Sequence, residues 1–259
     1  MIYTNLIKKA ISFSTQVHEM NQKQKRKGKD IAYIVHPLSV GLILARAGAS
    51  EEIIVAGILH DTLEDSIAEK KITKKMLVKE FNKEIADLVV SVTEENKELP
   101  WDVRKQAALE HIKNFSQGSL LIKSADILNN ASELLEDYEK NGEMVFDRFN
   151  APKEKIIKNL LRAINAILTC WKENPLAKDL VFLANDLQMI GSPFFMLNSP
   201  ARIIEYKDYD ENIELECSVC GWKGTPKSSD CINTDSHFAM DVSCPICGKM
   251  ILVAGYASA

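Results

Sequence analysis

Ile53-Ile54-Val55-Ala56-Gly57-Ile58-Leu59-His60-Asp61-Thr62-Leu63-Glu64-Asp65 is the stretch that decides how this chain folds. Its apolar run is far shorter than the roughly 18 residues of a membrane span and too apolar for an exposed helix, so it reads as a buried helix. The run ends in a cluster of ionisable side chains. On a continuous helix His60 stacks with Glu64, and Asp61 with Asp65, because residues four apart share a face. Carboxylates at the end of a buried run are costly unless metal, cations or hydrogen bonds compensate them, and a bound cation is the economical explanation.

The same helical period extends on both sides, from residue 4 to about 190, as in Val40, Ile43, Leu44 and Ala47 and in Ile157, Leu160, Leu161, Ile164 and Leu168. Pro37 suits the first turn of a helix running to Arg46, Gly48 suits its end, and Ser50 suits the cap of the next. After Gly191-Ser192-Pro193 and Asn198-Ser199-Pro200 the period changes to short β-like pieces over 201–206, 213–217 and 249–256. The expected fold is mainly α: a helical bundle over 1–195, then a linker and a small β-rich module over 196–259. A length of 259 residues fits two such units.

Charge narrows the partners. Lys and Arg number 32 against 36 Asp and Glu, a net −4, so no global field would hold nucleic acid or an anionic membrane surface. An anionic ligand must be gripped locally. The amino-terminal Met1-Ile2-Tyr3-Thr4-Asn5 lacks the apolar stretch of a secretory signal, and a cytoplasmic location is expected. Five of the six cysteines then fall between 217 and 247, which in a reducing compartment reads as metal and not as disulfide.

Two further groups join the histidine and aspartate pair. His36 opens an earlier helix, and Asp126 interrupts the apolar pattern of Ile122-Lys123-Ser124-Ala125-Asp126-Ile127-Leu128. Two imidazoles and two carboxylates suit Mn²⁺, Fe²⁺ or Zn²⁺, which ligand softness does not separate. A divalent cation among them acidifies water and offsets charge on a phosphoryl group, so hydrolysis of a phosphoester or diphosphate is the implied reaction class. In the carboxy-terminal part, Cys217-Ser218-Val219-Cys220-Gly221 and Cys244-Pro245-Ile246-Cys247-Gly248 form two knuckles able to present four thiolates to one structural Zn²⁺, an arrangement that resembles a zinc ribbon. Cys231 and His237 are alternates for one ligand. A closed site of this kind has no vacancy for substrate, which leaves folding, self-association or contact with a protein partner as its work.

The order of these groups resembles the HD-domain hydrolase half of the RelA/SpoT alarmone enzymes, especially the small stand-alone alarmone hydrolases. Arg26-Lys27, Tyr33-Ile34-Val35-His36-Pro37, Leu59 to Asp65, Val92-Thr93, Arg104-Lys105 and Lys123 to Asn130 carry it, over residues 4 to 175. The resemblance implies one Mn²⁺ on His36, His60, Asp61 and Asp126. It makes Glu64 the residue that orients or deprotonates the attacking water, with Asp65 supporting it. It places Asn130 on the nucleotide and Arg26, with Lys27, beside the base. The implied reaction removes the 3′-diphosphate of guanosine 3′,5′-bis(diphosphate), or ppGpp, giving GDP and pyrophosphate.

One departure matters. Where the family reads His-Asn-Met-Arg-Thr, this chain reads Asn129-Asn130-Ala131-Ser132-Glu133, which loses a basic residue and replaces a hydroxyl with a carboxylate at Glu133. Recognition of the base or ribose is where that change acts. It motivates two alternatives: hydrolysis of another nucleotide, such as the 2′-phosphate of NADPH or a nucleoside phosphate, and a nucleotide-sensing module with the ribbon as output. Lys23, Lys25, Arg26, Lys27 and Lys29 add a local cationic funnel ahead of His36. His18 is expected to support the cluster without ligating, His111 to lie on the surface, and Cys170 to sit in the core.

Overall fold

The computed structural model describes residues 3–94, 98–190, 202–217, 219–227, 232–236, 239–246 and 249–255. Its amino-terminal part is helical: α1 (Asn5–Thr15), α2 (Val35–Arg46), α3 (Glu51–Leu59), α4 (Thr62–Asp65), α5 (Lys74–Glu80), α6 (Lys83–Val92), α7 (Trp101–Ile112), α8 (Gln117–Asn141), α9 (Lys153–Cys170) and α10 (Ala177–Ile190). Five helix starts have a local reason. Thr4, Ser50, Thr73, Asn82 and Ser116 cap α1, α3, α5, α6 and α8, each side-chain oxygen accepting a backbone N–H three residues on. Such caps are worth about 1 kcal/mol apiece. Gly48 follows α2 with φ +75°, the left-handed conformation that ends a helix.

The apolar run makes α3 the central helix. Ile54 through Leu59 are all buried, and α3 packs against α1, α2, α6 and α8 at once. Burial of each large side chain contributes roughly 1.5–3 kcal/mol, so a helix enclosed on every side needs little amphipathic contrast. Glycine sets how near α2 approaches. A Cβ on Gly41 would stand 2.6 Å from Ile58 Cγ1, and one on Gly57 would run into the buried Leu44 side chain. This contact brings the first turn of α2, bearing His36, against the end of α3, bearing His60, while α8 crosses both and carries Asp126. Among the described residues, no helix is long and apolar enough to cross a membrane.

The carboxy-terminal part is built from strands. β1 (Arg202–Glu205) pairs parallel with β6 (Met250–Gly255), which pairs antiparallel with β5 (Ala239–Ser243), which pairs antiparallel with β4 (Ile232–Ser236). A separate antiparallel pair joins β2 (Leu215–Glu216) to β3 (Lys223–Gly224). The β-like pieces expected from sequence correspond to β1, β2 and β6, and the short β3 to β5 carry too weak an apolar alternation to be read alone. Among the described residues, Leu215, Cys217, Val242, Cys244, Ile251 and Leu252 form its buried core cluster, a much smaller set than the helical core. The expected boundary at 195 falls outside the described residues.

Candidate metal centre and adjoining cleft

His36 Nε2 and His60 Nε2 face each other at 3.2 Å. Each ring is fixed through its other nitrogen: His36 Nδ1 lies 2.5 Å from Asn129 Oδ1, and His60 Nδ1 lies 2.7 Å from the Gly57 carbonyl. Both partners are acceptors in this arrangement, so each Nδ1 carries the proton and each Nε2 presents a lone pair to the other. Carboxylates close the ring, with Asp126 Oδ1 3.4 Å and Asp61 Oδ2 3.6 Å from His36 Nε2, and Asp61 Oδ2 3.1 Å from His60 Nε2. Converging lone pairs and anions in a buried place repel one another until a cation sits among them. The donor set therefore fits a divalent metal ion.

Local backbone chemistry explains the bend that aims these groups. The sequence predicts one helix through Asp65, whereas α3 ends at Leu59 and α4 begins at Thr62. His60 Nδ1 competes for the Gly57 carbonyl, and Thr62 Oγ1 donates to the Leu59 carbonyl at 2.7 Å, so side chains occupy acceptors that a regular helix would use. The turn is only loosened, since the Asp65 amide still reaches the Asp61 carbonyl at 2.9 Å.

Electrostatics follow the geometry. A proton can serve as that cation: burial opposes charging His60, yet the Asp61 and Asp126 carboxylates outweigh it and hold the imidazole up at about 9, so a metal ion claims the Nε2 lone pair by displacing a proton. Burial likewise opposes ionisation of Asp126, but Lys123, His36 and His60 keep it well below the usual carboxylate range. Lys123 Nζ donates to Asp126 Oδ2 at 2.7 Å, leaving Oδ1 for the histidine side. The Tyr33 hydroxyl donates to Asp61 Oδ2 at 2.5 Å.

Glu64 and Asp65 flank the cluster. Glu64 Oε2 accepts the Glu94 amide at 3.3 Å, and Glu64 lies close enough to Lys123 for its charge to raise that amine. Asp65 Oδ2 accepts from the Gln24 amide at 3.0 Å, and Gln24 Oε1 meets His18 Nδ1 at 2.8 Å. His18 is buried in a contact with the Tyr33 ring, so it braces the cluster from behind.

Beside Asp126 opens a cavity of about 510 Å³, within the size range of ligand pockets. Arg26, Lys27 and Asn130 line it, so the structure gathers all three expected nucleotide contacts at one cleft. Tyr33, Trp101, Lys105, Lys123 and Arg148 line it as well. Tyr33, Lys105 and Lys123 stood inside recognised motifs without a role, whereas Trp101 is a lone aromatic whose placement depends on how α7 packs. A second cavity of about 350 Å³ shares Lys105, Lys123, Asn159 and Ala163 with the first.

The cationic funnel is largely neutralised. Lys25 pairs with Asp30, Arg26 with Glu133, and Lys29 with both Glu133 and Asp137, while Lys27 stands over the Phe149 ring. Counting charges in sequence hid the acceptors of Arg26 and Lys29 because they come from α8, whereas Asp30 lies in the same loop as Lys25. Arg148 also pairs with Asp137, at 2.6 Å, and presses on Gly28, where a Cβ would stand 3.0 Å from Arg148 Cδ. His111 is exposed, as expected, but Cys170 is exposed instead of buried because α9 ends there and its apolar stripe stops at Leu168.

In the strand module Cys217, Cys220 and Cys244 come together, with Cys220 Sγ 3.5 Å from Cys244 Sγ and all three sulfurs mutually within 4.8 Å. The knuckle turns on Gly221, whose φ of +75° suits glycine, and on the Cys217 amide bonding to the Trp222 carbonyl at 2.8 Å. Thiolates at this spacing fit zinc. Cys247, Cys231 and His237 lie outside the described residues.

Two histidines and two aspartates thus form a ring inside the helical bundle, at the edge of a polar cleft. The HD domain family matches residues 10–152, and this chain belongs to it. The stretch contains His36, His60, Asp61 and Asp126 and excludes every cysteine. Among similar proteins, the guanosine-3′,5′-bis(diphosphate) 3′-pyrophosphohydrolase MESH1 of Xenopus tropicalis is 33% identical over 131 residues, 50% of this chain and 69% of its own length. A GTP pyrophosphokinase of Myxococcus xanthus is 43% identical over 93 residues, of whose length the match spans only 11%. A solved structure from Listeria monocytogenes shares 30% identity at a TM-score of 0.53, covering 60% of this chain and 97% of that one. A metazoan ortholog of SpoT, described as hydrolysing ppGpp, shares the fold at 20% identity and a TM-score of 0.56, covering 73% of this chain and 97% of that one.

Proposed function

We propose that this chain is a metal-dependent pyrophosphohydrolase that removes the 3′-diphosphate of guanosine 3′,5′-bis(diphosphate), releasing GDP and pyrophosphate. The observation that carries the proposal is the pair of Nε2 lone pairs meeting two carboxylates at the edge of a nucleotide-sized cleft. Kinship to the frog enzyme supports the substrate. In this reading His36, His60, Asp61 and Asp126 hold Mn²⁺, which when bound neutralises phosphoryl charge and acidifies water. Glu64 takes the proton of the attacking water, and Asp65 keeps the α4 end in place through Gln24. Lys123 and Lys105 face the phosphates, while Arg26, Lys27 and Asn130 face the nucleoside. The helical unit, 1–195, carries this chemistry in the cytoplasm. Cys217, Cys220, Cys244 and Cys247 hold a structural Zn²⁺ in the unit over 196–259, which serves folding, self-association or a protein partner.

A substrate panel tests the proposal. With Mn²⁺, ppGpp should yield GDP and pyrophosphate in equal amounts, faster than NADPH or nucleoside monophosphates yield phosphate. Turnover of NADPH or a monophosphate with no pyrophosphate from ppGpp overturns the substrate. Nucleotide binding without turnover under Mn²⁺, Fe²⁺, Zn²⁺ or Mg²⁺ overturns the enzyme.

A further inference from the structure

Asp126, Asn130, Glu133 and Asp137 recur at spacings of four, three and four, so they form one stripe along α8. The stripe starts at the histidine cluster and ends under the 24–29 loop. Polar contacts rise along it like rungs. Asn130 Nδ2 donates to Asp126 Oδ1 at 2.5 Å, and Asn130 Oδ1 accepts from Arg26 Nη2 at 2.8 Å. Glu133 Oε2 then accepts from Arg26 Nε at 3.0 Å and Nη2 at 2.6 Å, while Oε1 takes Lys29 Nζ at 2.6 Å. Asp137 ends the ladder with Lys29 and Arg148.

The Arg26 guanidinium is thereby fixed in orientation. Its edge is bound to Glu133 and Asn130, its Cζ stands 5.6 Å from the Tyr33 ring centroid, and its side chain is only 12% exposed yet lines the cleft. A guanidinium bonded through its edge keeps a planar face for a planar ligand, and charge shared with a carboxylate makes it a poorer trap for phosphate. Glu133 pairs through two Arg26 nitrogens and with Lys29 besides, which a hydroxyl in its place would not do.

From this we propose that Glu133 is a positioning residue for nucleotide binding. It acts through Arg26, holding the guanidinium as a stacking plate for the base and barring it from collecting phosphate groups. The proposal rests on the nucleotide-hydrolase reading above and specifies how that site selects a nucleoside over bare diphosphate.

A double-mutant cycle tests it, with GDP and inorganic pyrophosphate as separate calorimetric probes on the Mn²⁺-loaded full chain, alongside ppGpp kinetics. Glu133→Ala should weaken GDP binding at least ten-fold and raise KM for ppGpp by a similar factor, with kcat falling less than three-fold. Pyrophosphate affinity should hold or rise. Glu133→Gln, which keeps an acceptor oxygen without the charge, should fall between, and keeps the test open should the alanine variant misfold. The deciding result is coupling: with Arg26→Ala already present, removing Glu133 should cost GDP less than a further two-fold. Additive losses, or a fall in kcat at unchanged KM, overturn the positioning role. A wild type that turns over no ppGpp while the cycle still couples on GDP defeats the hydrolase reading and leaves the role of Glu133 standing. A wild type that binds no GDP overturns both.

Discussion

The two candidate metal clusters differ in what surrounds them. Among the described residues, His36, His60, Asp61 and Asp126 are held by helices that share a core of nearly forty buried hydrophobic residues, whereas Cys217, Cys220 and Cys244 sit with a core cluster of six, two of them the cysteines themselves. Nitrogen and oxygen donors in a preformed ring favour an exchangeable cation that does chemistry, while thiolates in a small module favour a tight one that replaces the missing core. Metal should therefore be optional for the fold of the first region and obligatory for that of the second.

The sharpest way to break this contrast is Asp126→Ala. It deletes an anion that His36 and Lys123 both face, so Mn²⁺ binding and hydrolysis should vanish together while circular dichroism and the helical melt stay near wild type. Glu64→Ala should instead retain Mn²⁺ by elemental analysis and slow turnover by roughly 10²-fold, the range for a lost general base. Equal loss of metal in both variants would make Glu64 a ligand.

Next in size is Cys217→Ser. It should release about one zinc per chain and unfold the strands from β2 onward, since a metal-dependent module loses its folding free energy with its ion. Hydrogen exchange should show α1 to α9 protected as before, and ppGpp turnover should stay within two-fold. Mild chelation should likewise remove activity before it removes zinc, with Mn²⁺ restoring it. An inactive Cys217→Ser chain that still holds Mn²⁺ would mean that the ribbon contributes to the active site and would dissolve the contrast.

Gly57→Ala probes the packing that aligns the histidines. Alanine gains up to about 1 kcal/mol in helix propensity, but overpacking costs typically 1–3 kcal/mol, and the Leu44 side chain it meets is fully buried. Net destabilisation should win, seen as a lower Tm of the helical transition, and activity should fall further than stability because His60 follows Gly57 closely. A raised Tm would show that α2 and α3 can move apart.

The smallest expected effect is a pH dependence. Burial opposes the ionisation of Glu133, but Arg26 and Lys29 hold its carboxyl below the usual range. A lowered folded-state pKa adds stability above the unfolded value, near 4.5 for Glu, and that stability is lost as pH falls through the folded one. Glu133→Gln should therefore melt a few degrees below wild type at pH 6, and the gap should close toward pH 3. A gap that widens on acidification would reverse the sign.

Much of the site was legible because its residues announce themselves locally. His36-Pro37, His60-Asp61 with Glu64-Asp65, and the polar break at Asp126 are polar groups in apolar helical patterns, which burial makes conspicuous. Caps at Ser50 and the stop at Gly48 were legible for the same reason, since each is satisfied within a few residues. The pairing of Arg26 and Lys29 was not legible because their partners lie more than a hundred residues away, and Cys170 was misplaced because a stripe of period 3.6 does not say where a helix ends.

The sequence by itself determined a helical body, a candidate metal-ligand set and a cysteine module, because donor type and spacing are chemical facts of the chain. Only the tertiary structure decided which lone pairs meet, since that depends on glycines letting α2 press on α3 and on side chains taking carbonyls at the bend after Leu59. It alone decided that Arg26 is clamped by Glu133, for charges far apart in sequence interact only once α8 has brought them within hydrogen-bond reach.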